Sequence, residues 1–155
     1  MPVSYHNRQP RSDLPYSYYG TLAQLAASVD TLIAVAPGGP STYKAVNAEV
    51  FTALGSDGIF INVGRGSTVD EEALIAALQN GTIGAAGLDV YANEPHVPED
   101  LLALDNVSLL PHVAAASAYT RAAVANLLAE NLISWFIGDR ALTPVSETAH
   151  VRRRN

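Results

Sequence analysis

Short apolar runs alternate with stretches of helical spacing along this chain, and that alternation limits its possible folds more than any other feature. The runs are Pro2 to Tyr5, Thr31 to Val35, Ile59 to Val63, Ala85 to Asp89 and Val107 to Leu110. Between them lie helical patterns at Leu22 to Ser28, at Ala48 to Leu54 behind an Asn47 cap, and at Glu71 to Gln79. Asp70 is placed to cap the first turn of the last of these, and Asn80-Gly81 to end it. Strands separated by helices build βαβ units and a parallel sheet, so the expected class is α/β. A short helical turn is expected after Pro98 in "VPEDLLAL", then a long helix from about Ala118 to Ile137 behind Ser117, stopping at Gly138. That helix carries Val124, Leu127, Leu128, Leu132, Trp135 and Phe136 at the spacing of a core-facing stripe. No internal repeat or low-complexity linker interrupts the pattern. The expected organisation is one domain over residues 1–140, long helix included, and a tail over 141–155.

Composition removes several function classes. With 155 residues, 48% of them hydrophobic, the chain can form a core. It has no cysteine, which excludes disulfides and thiolate metal sites. No apolar run approaches the roughly 20 residues needed to span a bilayer. A net charge of −6 argues against a nucleic-acid surface. The one basic run, the closing "VRRRN", reads as a solvated tail. The opening "MPVSYHNRQPR" has no apolar stretch of the kind secretion requires, and a reducing cytoplasm fits.

In an open parallel sheet, ligands collect beyond the carboxyl ends of the strands, and the unusual residues of this chain fall there. Asn7 and Arg8 end the first run, and Pro37 to Pro40 follow the second. Gly64-Arg65-Gly66 follow the third, Asp89 and Glu94 the fourth, and Pro111-His112 the fifth. Taken singly, Asp89 reads as a turn cap, Glu94 as a solvated carboxylate and His112 as a structural histidine. Five such placements at one edge point to a site. Arg65 is the most telling, because a guanidinium at the end of an apolar strand is costly unless an anion meets it.

These residues carry a resemblance. "INVGRGSTVDEEALIAALQNGTIGAAGLDVYANEP", followed by "LLPHVAAASAYTR", is similar to the cofactor-domain signature of the D-isomer-specific 2-hydroxyacid dehydrogenases. The likeness runs from "VSYHNRQPR" to "LTPV" and implies a Rossmann-type, doubly wound parallel sheet. It also implies a catalytic set of Arg65, Glu94 and His112, with Arg65 and His112 next to the cofactor as well. Val63 and Asp89 would hold the nicotinamide carboxamide, and Pro37 would pack near the cofactor. Ala114 is counted among the cofactor-binding positions, although Ala114 and Ala115 stand where many members have Gly-Ser and one hydroxyl contact is missing.

The chemistry can be argued from the side chains themselves. Hydride transfer to the carbonyl of a 2-oxo acid builds negative charge on oxygen, and a nearby proton donor removes it as it forms. His112 suits that task, with Glu94 beside it to orient the ring and favour the proton on it. Arg65 offers a planar fork to a substrate carboxylate and its neighbouring carbonyl. At the exit of the first strand, Asn7 replaces the acidic residue that commonly meets a ribose 2′-hydroxyl, and Arg8 and Arg11 follow closely. A 2′-phosphate is thereby favoured, as in the NADPH-using glyoxylate/hydroxypyruvate reductases that the segment resembles, so NADP(H) is expected over NAD(H).

No G-x-G-x-x-G occurs in the sequence. The expectation is therefore a partial Rossmann-type sheet lacking the first strand and its Gly-rich loop, the C-terminal part of a dehydrogenase that is inactive alone and homodimeric when complete. In the family order 3-2-1-4-5-6, the runs at Pro2 to Tyr5 and Thr31 to Val35 would then be set apart from the other three. Pro2 to Tyr5 would lie about two strand spacings, each about 4.8 Å, from Ile59 to Val63. Two other functions compete with the reductase: a nucleotide-sensing corepressor-like binding module and a non-catalytic remnant.

Overall fold

A computed structural model describes residues 1–152; Arg153 to Asn155, the end of the basic run, lie outside the described residues. The chain divides into two compact units, the first Met1–His112 and the second from Val113 onward. In the first unit the elements are β1 (Ser4–Tyr5), β2 (Ser17–Tyr18), α1 (Leu22–Ala26), β3 (Thr31–Ala34), α2 (Ala48–Leu54), β4 (Ile59–Asn62), α3 (Glu71–Gln79), β5 (Ala85–Leu88), α4 (Glu99–Leu102) and β6 (Val107–Leu109). The second unit carries α5 (Ala118–Gly138).

All strand pairing between these elements is parallel. One sheet has the order β3-β4-β5-β6, and a separate two-stranded sheet pairs β1 with β2. This corrects the sequence reading at one point. Ser17–Tyr18 is a strand that two residues and no apolar run could not announce, and it is the partner of Ser4–Tyr5. Thr31–Ala34, expected on the far side of a break, pairs directly with Ile59–Asn62. The break therefore falls after β2; β1 makes no pairing with β4, but the place beside β4 expected for the missing strand is held by β3.

Strand register explains where the core sits. Leu32, Phe60 and Ala86 lie side by side across β3, β4 and β5, and all three are buried. Phe60 meets Phe51 of α2 edge-on, with ring centroids 5.4 Å apart. The alternate row is the open face, where Ile33, Val35, Ile59 and Val63 are all exposed. Such large apolar side chains on the second face are what a strand built for burial on both faces carries.

The helices begin and end for local reasons. The Asn47 side chain accepts hydrogen bonds from the N–H groups of Glu49 and Val50, capping α2. At the end of α3, Gly81 takes φ +68°, and Thr82 N–H reaches back to Ala77 O at 2.8 Å, closing the turn. Asp70 precedes α3, but its side chain makes no capping bond; it pairs with Lys44 Nζ at 3.1 Å instead. Glu71 and Glu72 in the first turn oppose the positive end of the helix dipole.

The long helix forms where its capping residues place it. The Ser117 hydroxyl caps it by accepting from Thr120 N–H, and it runs through Gly138 to a left-handed Asp139. None of its residues is buried, and Val124, Leu127, Leu128, Leu132 and Phe136 are exposed. Polar contacts hold the following segment to the helix: Asn131 Oδ1 accepts from the N–H groups of Leu142 and Thr143, and Ser134 Oγ donates to Arg140 O.

Candidate active site

The residues singled out beyond the carboxyl ends of the strands fall into two groups. One gathers at the ends of β3, β4, β5 and β6. The other lies in the loop after β1.

Arg65 follows β4, and its loop is braced from beneath. Asn62, 1% exposed, is the last residue of β4. Its Oδ1 accepts from Gly64 N–H at 3.1 Å and its Nδ2 donates to Arg65 O at 3.2 Å. Thr68 Oγ1 donates to the same carbonyl at 2.6 Å. Both flanking glycines are required by close approach, which settles why they are there. A Cβ on Gly64 would lie 2.8 Å from Ala36 O, and one on Gly66 only 1.9 Å from the Tyr91 carbonyl. The Arg65 side chain is exposed; its Nη1 donates to Gly64 O at 2.7 Å, and no carboxylate pairs with it among the described residues.

Glu94 and His112 meet directly. His112 Nδ1 lies 2.7 Å from Glu94 Oε2, and because a carboxylate only accepts, Nδ1 carries the hydrogen. Glu94 Oε1 is fixed separately, accepting from Tyr91 N–H at 3.1 Å. The His112 bond is the main cause holding the Glu94 carboxyl below its ordinary range. The Tyr91 N–H comes next, and the charges of His112 and Arg65 add smaller parts against desolvation. Arg65 makes the smallest of these contributions, so it lies within electrostatic reach of the same carboxylate. The side chains of His112 and Glu94 are 51% and 33% exposed, and a cavity of about 280 Å³ opens beside them between Tyr91, Val97, Leu102 and Leu110.

Tyr91 and Glu71 are residues of this cluster that the sequence reading did not single out. The buried Tyr91 hydroxyl donates to Leu110 O at 2.8 Å and Leu88 O at 3.3 Å, tying the exit of β5 to the exit of β6. Burial raises the Tyr91 phenol above its ordinary value. Glu71 Oε2 accepts from Ala92 N–H at 3.1 Å and steadies the segment leading to Glu94. The available signal for Asn62 was an amide at the end of an otherwise apolar run. Tyr91 and Glu71 sit in ordinary positions, and only the fold reveals what they touch.

Other positions stand where their strands place them. Asp89 is buried, with its N–H on Asn62 O at 3.0 Å. Val63 is exposed at the end of β4, its N–H on Ala34 O, and Pro37 is exposed beyond β3. Ala114 is exposed in the second unit.

The loop after β1 holds Asn7, Arg8 and Arg11, all exposed. Asn7 Oδ1 accepts from Arg8 N–H at 2.9 Å. Arg8 has no ion pair among the described residues. Arg11 does: its Nε and Nη2 donate to the two carboxylate oxygens of Asp13 at 3.1 and 2.6 Å. That partner was not foreseen.

Residues 1–114 match the NAD-binding domain of the D-isomer specific 2-hydroxyacid dehydrogenases. The chain belongs to that family. It is 46% identical over 144 residues to hydroxyphenylpyruvate reductase of Plectranthus scutellarioides, covering 93% of this chain and 46% of that protein. Glyoxylate/hydroxypyruvate reductase A of Arabidopsis thaliana is similar to the same degree and extent. A crystal structure of an NADPH-dependent glyoxylate/hydroxypyruvate reductase from Sinorhizobium meliloti, in complex with NADP and malonate, superposes with a TM-score of 0.91 at 59% identity. That comparison covers all of this chain and 48% of the other. The chain thus spans about half the length of the dehydrogenase-family proteins it matches, and its sheet is part of their Rossmann-type fold.

Proposed function

We propose that this chain is the cofactor-domain portion of an NADP(H)-dependent reductase of small 2-oxo acids such as glyoxylate or hydroxypyruvate, in which His112 exchanges the proton and Arg65 holds the substrate carboxylate. The observation carrying this reading is the 2.7 Å bond from His112 Nδ1 to a Glu94 carboxylate that Tyr91 N–H fixes from the other side. Such a pairing fixes the ring and puts the hydrogen on Nδ1, which leaves Nε2 as the nitrogen to face a reacting oxygen. Arg65 is a permanent charge on a braced loop with no carboxylate partner among the described residues, which suits an anion brought by the substrate.

The residues present fit the nicotinamide and ribose ends of a dinucleotide. Val63 and Pro37 are exposed where β4 and β3 end, and Gly64 keeps those ends close enough that a Cβ would collide. Arg8, and Arg11 beside it, favour a nucleotide with a 2′-phosphate. A reduced nicotinamide bound there would supply the hydride. No helix among the described residues is long and apolar enough to cross a membrane.

The test is kinetic, in the full-length protein that carries this chain, with glyoxylate and hydroxypyruvate as substrates. His112→Asn is expected to lower kcat by about 10²- to 10⁴-fold, the usual size of general acid catalysis, and to change nucleotide affinity far less. Arg65→Lys is expected to raise KM for the oxo acid and lower kcat together. Wild-type turnover in His112→Asn would exclude the assignment.

A further inference from the structure

The loop after β1 contains two arginines in different electrostatic states, and the difference has a consequence for nucleotide choice. The backbone of this loop is pinned at both ends by tyrosine hydroxyls. Tyr5 Oη accepts from Arg11 N–H at 2.7 Å and donates to Arg11 O at 3.2 Å, while Tyr18 Oη donates to Asn7 O at 3.1 Å. The two rings lean on each other with centroids 5.4 Å apart. His6 adds a third tether, its Nδ1 lying 2.9 Å from Tyr19 O. Arg8 and Arg11 therefore project from a segment whose course is set before any ligand arrives.

On that fixed segment only Arg8 is without a carboxylate partner among the described residues. The Arg11 fork is filled at Nε and Nη2 by both oxygens of Asp13, the same two-pronged arrangement in which a guanidinium grips a phosphate. A phosphate that engages this fork must displace the carboxylate. Exchange is feasible, because both partners are more than half exposed and exposed ion pairs are held weakly.

We propose that Asp13 is a specificity-determining residue: by occupying the Arg11 guanidinium it restrains the preference for a 2′-phosphorylated nucleotide, leaving Arg8 as the standing contact and Arg11 as the conditional one. This rests on the reading that the β1 exit receives the ribose end of the cofactor. Asp13 acts here through Arg11 and not as a general negative charge, so its effect must depend on Arg11 being present.

That dependence gives the test. In the full-length protein carrying this chain, binding of adenosine 2′,5′-bisphosphate and of adenosine 5′-monophosphate is measured by calorimetry at low ionic strength. The forms compared are wild type, Arg8→Gln, Arg11→Gln, Asp13→Asn and the Arg11→Gln/Asp13→Asn double variant. Asp13→Asn is expected to tighten the bisphosphate about fivefold, near the upper end for an exposed ion pair, and to leave the monophosphate unchanged. In the Arg11→Gln background the gain should vanish. Unchanged bisphosphate affinity in Asp13→Asn, or an equal gain with and without Arg11, overturns the proposal while Arg8→Gln still weakens the bisphosphate. If the bisphosphate binds no tighter than the monophosphate in every form, or does not bind at all, the underlying placement of the 2′-phosphate fails and the proposal falls with it.

Discussion

Gly66→Ala and Gly87→Ala add the same methyl group to the same unit, and the structure gives them opposite signs. At Gly66 the new Cβ would sit 1.9 Å from both the carbon and the oxygen of the Tyr91 carbonyl, and 2.5 Å from Ala92 N. These are backbone atoms, so no side chain can rotate away. The loop carrying Arg65 must move off the segment carrying Tyr91 and Glu94. Tyr91 resists through its hydroxyl bonds to Leu110 O and Leu88 O, and Ala92 through the Glu71 carboxylate. Overpacking of this kind costs about 1–3 kcal/mol, and a collision with backbone belongs at the upper end. At Gly87, in β5, the nearest atom to an added Cβ is Ile61 Cγ1 at 3.8 Å, an ordinary contact. There the lower entropy of the unfolded chain is expected to stabilise by about 0.4–1 kcal/mol. For a chain of this length 1 kcal/mol corresponds to about 2–4 °C in Tm, so Gly66→Ala should melt about 6–12 °C lower. Gly87→Ala should melt slightly higher. The single tryptophan, Trp135, lies in the second unit, so the first is followed by far-UV circular dichroism and by amide exchange at Phe60 and Leu88. Equal melting of the two variants would refute the close-approach argument.

Further outcomes follow from the same geometry. Because folding depresses the Glu94 carboxyl, its contribution is complete above the ordinary value of 4.5 and is lost as pH falls through the depressed one. Glu94→Gln should therefore be less stable than wild type at neutral pH, and the difference should shrink below about pH 4.5; unfolding at pH 7 and pH 3 checks this, and a constant difference contradicts it. Asn47→Ala removes the acceptor for two N–H groups at the start of α2 and should cost about 1 kcal/mol, read by chemical denaturation, with Asn47→Asp retaining most of the stability.

How much of this was legible in the sequence depends on whether a signal is local. The strands β3 to β6 and the caps at Asn47 and Ser117 could be read because apolar runs and capping residues act on their own neighbours. Ser17–Tyr18 could not, since a two-residue strand has no period, and its pairing with Ser4–Tyr5 is a non-local choice. Missing it put the break in the sheet one element too late. The long helix shows the complementary limit. Spacing at Val124, Leu127, Leu128 and Leu132 says that one face is apolar, but not whether anything within the described residues covers it. Asp70 shows a third, because the same carboxylate can cap a helix or pair with a lysine that arrives from 26 positions away, and here Lys44 takes it.

Arg65 joins the two kinds of knowledge. Sequence alone identified it as a charge that an apolar strand end would not carry without a reason. The fold supplies the rest. Asn62 and Thr68 hold the Arg65 carbonyl, and Gly66 admits the Tyr91 backbone to within a distance no Cβ would allow. Through Tyr91 N–H that same backbone holds Glu94, and Glu94 holds His112. The cluster is therefore built less by its charged side chains than by buried polar atoms and close backbone approach beneath them. Substitutions at Asn62 or Gly66, which carry no charge, should therefore loosen the segments that present Arg65 and Glu94.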